Sequence, residues 1–170
     1  MQQLILVNEQ DVQTGTMEKM AAHQLGLLHR AFSVFIFNPK GDMLLQQRAA
    51  NKYHSGGLWT NACCSHPYDG QDTLVAAEKR LKEEMGFTVP LKKAFDFVYK
   101  VSFENGLTEH EYDHVFIGYY DGDIIPAADE VKDYCFMSAD ELKISIDSYP
   151  NKYTAWFKIA FPKLQDYLSL

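Results

Sequence analysis

The amino-acid sequence predicts a single domain of the α/β (α+β) class, on three observations. Its 170 residues are enough for one hydrophobic core and too few for two full domains. No internal repeat and no linker rich in proline or glycine interrupts the chain. Strand-like runs alternate with a segment whose apolar residues recur at helical spacing. We therefore treat residues 1–170 as one continuous domain that contains both strands and helices.

The first third of the chain is predicted to form strands and one short helix. Short apolar runs bounded by turn residues are typical of strands, and Asn38-Pro39-Lys40-Gly41 is typical of a hairpin turn. The predicted elements are a strand over residues 4–8, a helix over residues 16–22 that ends near His23, a hairpin of residues 32–37 with 43–47, and an extended segment over residues 59–64.

A longer helix is predicted from Asp72 to Met85. Asp72 is a suitable N-cap, and Gly86 is a suitable stop just after the last helical residue. Apolar side chains at helical spacing predict one buried stripe, formed by Leu74, Ala77, Leu81 and Met85.

The C-terminal half is predicted to contain a second hairpin and two further helices. Asn105-Gly106 is a strong signal for a tight hairpin turn. Ser138 followed by Glu141 predicts a capping box at the start of a helix. The remaining predicted elements are strands over residues 95–103, 108–120 and 134–137, and a last helix over residues 153–168.

Composition narrows the possible partners and the compartment. The formal net charge of −7 disfavours binding to nucleic acid or to an anionic membrane, because neither polyanion is attracted to an acidic surface. The N-terminus has no basic leader, and no window is long and apolar enough to cross a bilayer. We therefore expect a cytoplasmic protein with a small-molecule partner, no nucleic acid and no membrane.

The three cysteines do not suggest a disulfide framework. Cys63 and Cys64 are adjacent and would pair only through a strained ring, which leaves Cys135 without a partner. In a reducing compartment, one of these thiols is a candidate for a chemical role.

Several polar residues are candidates for a site. Side chains alternate along a strand, so Glu109 and Glu111 should point to the same face of their strand. For the same reason, Cys64 and His66 should point to the same face of theirs. Two glutamates alone are more often solvated, whereas the apolar neighbours in residues 112–117 favour a buried pair, so both interpretations stay open. Histidines are usually surface or core residues, but His23, His29 and His66 with these glutamates would suit an octahedral metal site if the fold gathered them.

Basic and aromatic residues leave similar alternatives. Arg80 and Glu84 lie four residues apart on the predicted helix. One interpretation is a surface ion pair. The other is that Arg80 contacts a phosphate oxygen and Glu84 binds Mg²⁺. Arg48 and Lys52 either serve solubility or hold an anion. Trp156 is a core aromatic or a surface that stabilises a cation.

Taken together, five segments resemble one known family: AAHQLGLLHRAFS, LWTNACCSHP, KRLKEEMGF, TEHEY and YTAW. The family is type 1 isopentenyl-diphosphate isomerase of the Nudix superfamily, and the resemblance spans nearly the whole chain. It implies a mixed sheet sandwiched by helices, with residues 1–30 as an N-terminal extension that contributes metal ligands. The implied activity is interconversion of isopentenyl diphosphate and dimethylallyl diphosphate, by a monomer or a weak dimer.

The resemblance also implies two metal sites. One tightly bound divalent cation, Mn²⁺, Mg²⁺ or Zn²⁺, is expected at three histidines and two glutamates, namely His23, His29, His66, Glu109 and Glu111. A Mg²⁺ that arrives with the diphosphate is expected at Glu84.

The remaining implied roles concern proton transfer and substrate binding. Cys64 and Glu111 match the catalytic pair, with Tyr99 as an assisting hydroxyl, and Cys63 falls on a variable, structural position. We expect Glu111 with Tyr99 to donate a proton to the alkene and a Cys64 thiolate to remove one, although the two roles can be exchanged. The diphosphate is expected at Arg48, Lys52 and Arg80, and the hydrocarbon under Trp156.

This sequence departs from the Nudix box of hydrolases. Where that box has a glycine, a distant glutamate and Arg-Glu, this chain has Ser65, Gln71 and Lys79-Arg80, so the hydrolytic metal cluster is incomplete. The alternative functions are a Nudix-type diphosphohydrolase and a metal-binding or substrate-sensing module without turnover.

Overall fold

The computed structural model describes residues 2–169, in which nine strands form one mixed sheet and four α-helices pack around it. The strands are β1 Gln3–Val7, β2 Gln13–Glu18, β3 His29–Phe37, β4 Met43–Arg48, β5 Trp59–Thr60, β6 Cys63–Ser65, β7 Lys92–Ser102, β8 Thr108–Tyr119 and β9 Val131–Met137. The helices are α1 Lys19–Leu25, α2 Thr73–Met85, α3 Ala139–Ser148 and α4 Ala155–Leu168.

The centre of the sheet is β3, which has partners along both edges. It runs parallel to β8 over nine residue pairs, from His29 opposite Glu111 to Phe37 opposite Tyr119. On its other edge it pairs antiparallel with β1 and β6. All of β3 except Arg30 is buried, as expected for a strand covered on both faces.

Helices cover both faces of the sheet, as the resemblance implies. Alternate residues of β3 enter two separate cores, because successive side chains point to opposite faces. Phe32 and Val34 pack in the core that includes Leu81 of α2. On the opposite face, Phe35 packs in the core that includes Phe157 of α4, with the two rings 6.3 Å apart.

The predicted ends of α2 are confirmed. The Asp72 side chain accepts a hydrogen bond from the Val75 amide at 3.0 Å, and Gly86 ends the helix with a φ of 80°. The predicted stripe is wrong at Leu74, which is 37% exposed. The buried residues of α2 begin only at Ala76, so the first turn of the helix contributes little to the core.

Near the N-terminus, the predicted helix over residues 16–22 is confirmed at residues 19–22 and wrong at residues 16–18. Residues 13–18 form β2 instead, which pairs with β1 from Gln3 opposite Glu18. The helix begins at Lys19, because the Glu18 carboxylate accepts hydrogen bonds from the first free amides of α1. This late start places His23 in the last turn of α1.

Two predicted strand assignments also need correction. In the predicted first hairpin, β3 and β4 pair only at Phe37 and Met43, because β4 instead follows β9 along its length. The predicted extended segment 59–64 is interrupted at residues 61–62, which separate β5 from β6. Here the Asn61 side chain donates hydrogen bonds to two backbone carbonyls, which replaces strand pairing.

The C-terminal predictions are largely confirmed. A hairpin joins β7 to β8, and Gly106 in its turn has a φ of 82°. The capping box of Ser138 and Glu141 is present. The predicted strand 134–137 is longer and begins at Val131, and α4 begins at Ala155 after the Thr154 cap.

Within residues 2–169, the longest helix has 14 residues, and no helix combines the length and apolar character that crossing a bilayer requires.

Candidate active site

Four elements bring the predicted metal ligands together at one end of the β3–β8 pair. The α1 helix ends just after His23, a turn at Gly26 follows, and His29 begins β3. His66 follows β6, and the two glutamates lie two residues apart on β8. One ligand atom from each residue lies within 4.8 Å of all the others, and all five residues are buried: His23, His29, His66, Glu109 and Glu111.

Two of the imidazoles are oriented as metal ligands. Nδ1 of His23 donates to the Lys19 carbonyl at 2.7 Å, and Nδ1 of His29 donates to the Leu27 carbonyl at 2.8 Å. These bonds leave the lone pair of each Nε2 facing the cluster. Among residues 2–169, neither Nε2 atom has a hydrogen-bond partner. Buried nitrogen atoms without a partner are costly, so their convergence fits a bound cation.

The two glutamates complete this arrangement. Glu109 is 3% exposed and Glu111 is 7% exposed, so their interpretation as a solvated strand face is wrong. Although burial raises the pKa of Glu109, the nearby imidazole of His23 and the hydrogen bond from His54 outweigh it and hold the pKa well below its usual range. Burial lowers the pKa of His66, which lies 2.6 Å from Glu111. An ionised carboxylate and a neutral imidazole are the forms that bind metals.

Glu111 also contacts Tyr99. The two residues are directly opposite in the β7–β8 register, and the phenol donates a hydrogen bond to Glu111 Oε1. Burial and the charge of Glu111 raise the pKa of Tyr99 well above its usual range, so the phenol keeps its proton. The carboxylate therefore has a fixed hydroxyl partner on the side away from His66.

Cys64 lines the same cleft. Its Sγ donates to Asn61 Oδ1 at 3.0 Å and lies 3.5 Å from Ser33 Oγ. Burial, with the charge of Asp113, raises the pKa of Cys64 to about 12. In the protein without a bound cation, Cys64 is therefore a thiol. Cys63 is fully buried in the core beside α2, which agrees with a structural role.

Behind Cys64 lies a carboxyl that the sequence did not single out. Asp113 is 1% exposed and accepts a hydrogen bond from Ser33 Oγ at 2.7 Å. Burial and the charge of Glu111 raise its pKa well above the usual range. The alternation that pairs Glu109 with Glu111 also includes Asp113, so the same strand pattern could have identified it.

The site consists of two adjoining cavities. The inner cleft encloses about 20 Å³ of free space, room for about one water, and is lined by the candidate catalytic groups and by Arg48, His54 and Trp156. The outer cavity has about 320 Å³ and a polar wall that includes Lys19, Arg80 and Glu130. Ser65 and His66 line both, so the two cavities adjoin.

The expected phosphate ligands lie near this path, and two of them share an acidic partner. Lys52 forms an ion pair with Glu130, and Arg80 contacts the same carboxylate at 3.0 Å. Arg80 also contacts Glu84 at 3.4 Å, so the i,i+4 pair exists but belongs to a larger cluster. Glu84 is 5% exposed, and its Oε2 has no hydrogen-bond partner in the described chain, which suits a cation ligand.

Trp156 forms one wall of the inner cleft. It is 4% exposed, and its ring centroid lies 5.1 Å from the Arg48 guanidinium carbon. The indole is thus in contact with a cation, as well as being part of the buried interior.

Two more polar residues were missed by sequence reasoning. His54 donates a 2.6 Å hydrogen bond to Glu109, and Lys19 lines the outer cavity with a pKa that burial lowers. His54 follows Lys52 in a polar loop, and Lys19 follows a strand mistaken for helix, so neither had a local pattern that indicates a site.

Comparison with known proteins gives one family and many similar chains. The family model of the NUDIX domain matches residues 27–157, a range that contains His29 but not His23. The chain is 52% identical over 155 residues to isopentenyl-diphosphate Delta-isomerase 2 of Photorhabdus laumondii, covering 91% of this chain and 88% of that protein. It is 48% identical over 165 residues to isopentenyl-diphosphate Delta-isomerase of Pectobacterium atrosepticum, covering 97% and 92%.

Solved structures support the fold. DR0079 of Deinococcus radiodurans matches with a TM-score of 0.71 at 16% identity, covering 86% of this chain and 90% of that chain. The MutT protein of Methanosarcina mazei Go1 matches with a TM-score of 0.68 at 18% identity, covering 82% and 94%. At these identities the similarity concerns the architecture alone.

Proposed function

The chain belongs to the isopentenyl-diphosphate Delta-isomerase family of Nudix-domain proteins, and we propose that it interconverts isopentenyl diphosphate and dimethylallyl diphosphate. One observation supports this activity above the others. Cys64 and Glu111, the latter hydrogen-bonded to Tyr99, line one narrow cleft that adjoins a polar cavity.

The reaction needs one acid and one base. Protonation of C4 by Glu111, assisted by Tyr99, draws the electrons of the C3–C4 double bond toward the new C–H bond and leaves positive charge at C3. The Cys64 thiolate then takes a proton from C2, and those C–H electrons form the C2–C3 double bond. One proton enters and one leaves, so the product is an isomer of the substrate.

The position of one proton, on Cys64 or on Glu111, sets the direction in which the proposed reaction starts. With its pKa at about 12, Cys64 carries its proton in the absence of ligands. This form suits dimethylallyl diphosphate, to whose C2 the thiol donates while Glu111 accepts from C4. Action on isopentenyl diphosphate starts from the other form, in which the same proton lies on Glu111. The two forms carry equal charge, so interconverting them requires no net uptake of protons.

The cluster of His23, His29, His66, Glu109 and Glu111 would hold one divalent cation, Mn²⁺, Mg²⁺ or Zn²⁺. A bound cation supplies positive charge that fixes Glu111 in one orientation and lowers the proton affinity of neighbouring acids. The protein residues supply the proton transfers themselves.

The diphosphate belongs in the outer cavity. We place it beside Arg80, which lines this cavity, and Lys52, whose partner Glu130 lines it. Arg48 would reach it from the inner cleft, and Glu84, which contacts Arg80, would bind an accompanying Mg²⁺. Glu130 forms ion pairs with both Lys52 and Arg80, and the diphosphate would replace it as their anionic partner. Since the protein has a net charge of −7, a cation beside the substrate is needed to offset repulsion.

The hydrocarbon belongs in the inner cleft, which must widen to admit it. A volume of about 20 Å³ holds about one water, so the wall at Trp156 has to move outward and then close over the five-carbon chain. As the diphosphate attracts Arg48, the indole face becomes available to the cationic carbon, worth about 2 kcal/mol when desolvated. The closed wall also keeps water from trapping the cation.

We propose a monomer or a weak dimer, since the residues proposed for this site come from one chain. The three cysteines are unpaired, which suits the reducing conditions of the cytoplasm.

Isotope incorporation tests the proposed reaction. The protein is incubated with isopentenyl diphosphate, Mn²⁺ and Mg²⁺ in deuterated water, and the products are analysed by NMR and mass spectrometry. We expect dimethylallyl diphosphate with deuterium in the methyl group derived from C4. Unlabelled product would contradict proton entry from an exchangeable group, and no product would contradict the function.

Phosphate release separates the alternative hydrolase. The structural neighbours include Nudix hydrolases, but Gln71 and Arg80 occupy positions of the hydrolytic glutamates. We expect no phosphate from a nucleoside diphosphate derivative. Release that persists in Cys64→Ala would favour hydrolysis instead.

A further inference from the structure

A short loop after β4 presents His54 to the metal cluster. The loop has restrained geometry: Ser55 adopts a positive φ of 54°, and a Cβ on Gly56 would collide with the Ala50 carbonyl oxygen. Its backbone is held from two sides, because Asn105 donates to the Tyr53 carbonyl at 3.1 Å and Arg48 donates to the His54 carbonyl at 3.2 Å. The position of His54 is therefore fixed by the fold.

The imidazole of His54 is confined by aromatic rings. It stacks on Phe103 with centroids 4.5 Å apart and planes 12° apart, and it meets Trp156 edge-on at 5.4 Å. The side chain is 2% exposed. Because the ring cannot reorient freely, its two nitrogen atoms have defined partners.

Those partners determine the tautomer. Nε2 lies 2.6 Å from Glu109 Oε1, and since a carboxylate only accepts, the proton lies on Nε2. Nδ1 lies 3.2 Å from the Ser55 hydroxyl, which can then donate to it. The other oxygen, Glu109 Oε2, lies 3.4 Å from His23 Nε2 and has no hydrogen-bond partner in the described residues.

We propose that His54 is a positioning residue of the metal site, which holds Glu109 Oε1 so that Oε2 faces the cation. This inference rests on the proposed metal site. Hydrogen bonds from residues outside the coordination sphere orient ligand carboxylates, and their loss typically weakens metal binding about 10- to 100-fold. His54 does not itself belong to the cluster of converging ligand atoms, and its Nε2 lies 2.6 Å from Glu109 Oε1.

Three substitutions separate the hydrogen bond from the ring. Gln reaches a similar distance and keeps an N–H donor, Met has nearly the same length without a donor, and Phe keeps a ring without a donor. His114 offers a matched control, because it forms a 2.9 Å bond to the carboxylate of Asp11 outside the cluster.

Mn²⁺ binding to the metal-free protein is measured by calorimetry, with thermal unfolding to verify the fold of each variant. We expect His54→Phe and His54→Met to bind Mn²⁺ about 10- to 100-fold more weakly, with His54→Gln and His114→Phe close to the unmodified protein. The pair of donor-free variants keeps the test decisive if one of them does not fold.

The results distinguish the inference from the proposed site. Equal affinities in the Gln, Met and Phe variants, whether weakened or not, would overturn the role of the hydrogen bond. If the unmodified protein bound no Mn²⁺, or if Glu109→Ala did not reduce binding, the metal site itself would be wrong and the inference would fall with it.

Discussion

The protonation state of Cys64 gives a sharp quantitative prediction. An ordinary thiol with a pKa of 9.0 is about 10% ionised at pH 8, whereas a pKa of about 12 leaves a thiolate fraction of about 10⁻⁴. A thiolate of higher pKa is also more nucleophilic, which recovers a factor of about 15 to 30 over this interval. We therefore expect Cys64 in the metal-free protein to react with a small disulfide about 30- to 60-fold more slowly than an ordinary thiol at pH 8.

The assay isolates Cys64 in a Cys135→Ser background. Cys63 is fully buried, so modification is followed by mass spectrometry at Cys64 alone, with Cys64→Ser in the same background as the blank. Because folding raises the pKa, the rate should rise about tenfold per pH unit from pH 7 to pH 10 without levelling off. Addition of Mn²⁺ should move the curve to lower pH, since the cation favours the thiolate.

A rate that levels off near pH 9 would refute this reasoning, because the thiol would then titrate as in an ordinary peptide. A curve unchanged by Mn²⁺ would show that the cation does not act on Cys64.

Three further predictions concern stability. Leu81→Ala should lower the free energy of unfolding by about 3–5 kcal/mol and Leu74→Ala by much less, because only Leu81 is fully buried; equal losses in urea titrations would refute the described packing of α2. Asp72→Ala should lower the free energy of unfolding by about 1 kcal/mol through loss of the cap on α2, while Asp72→Asn should keep most of the cap's stabilisation. If Asp72→Ala unfolded at the same temperature as the unmodified protein, the cap would be contradicted. Mn²⁺ at 100 times its dissociation constant should raise the free energy of unfolding by about 2.7 kcal/mol. This stabilisation should decrease as falling pH protonates the imidazoles. The same stabilisation in His66→Ala would place the cation elsewhere.

Local patterns were sufficient where one element determines its own ends. Asp72 and Gly86 delimit α2 through contacts within a few residues, and the turn at Gly106 needs only a positive φ. The last three residues of β2 were assigned to a helix because their strand partner lies in β1, and pairing between segments is not visible in local spacing.

In the candidate site too, local pattern predicted some features, whereas others depend on the fold. Strand alternation placed Glu109 and Glu111 on one face, but the convergence of all five metal ligands was implied only by the resemblance. His54 was missed because its partner lies 55 residues away and only the fold brings the two together. The pKa of Cys64 depends on burial and on Asp113, so sequence could not say whether apolar walls or neighbouring charge dominates.

A crystal structure with Mn²⁺, Mg²⁺ and an unreactive analogue of isopentenyl diphosphate tests the proposed geometry most directly. We expect the hydrocarbon to lie between Cys64 Sγ and the Glu111 carboxyl, with the diphosphate beside Arg80 and Glu84. A hydrocarbon bound outside the inner cleft, or lying against only one of these two groups, would contradict the proposed proton transfers.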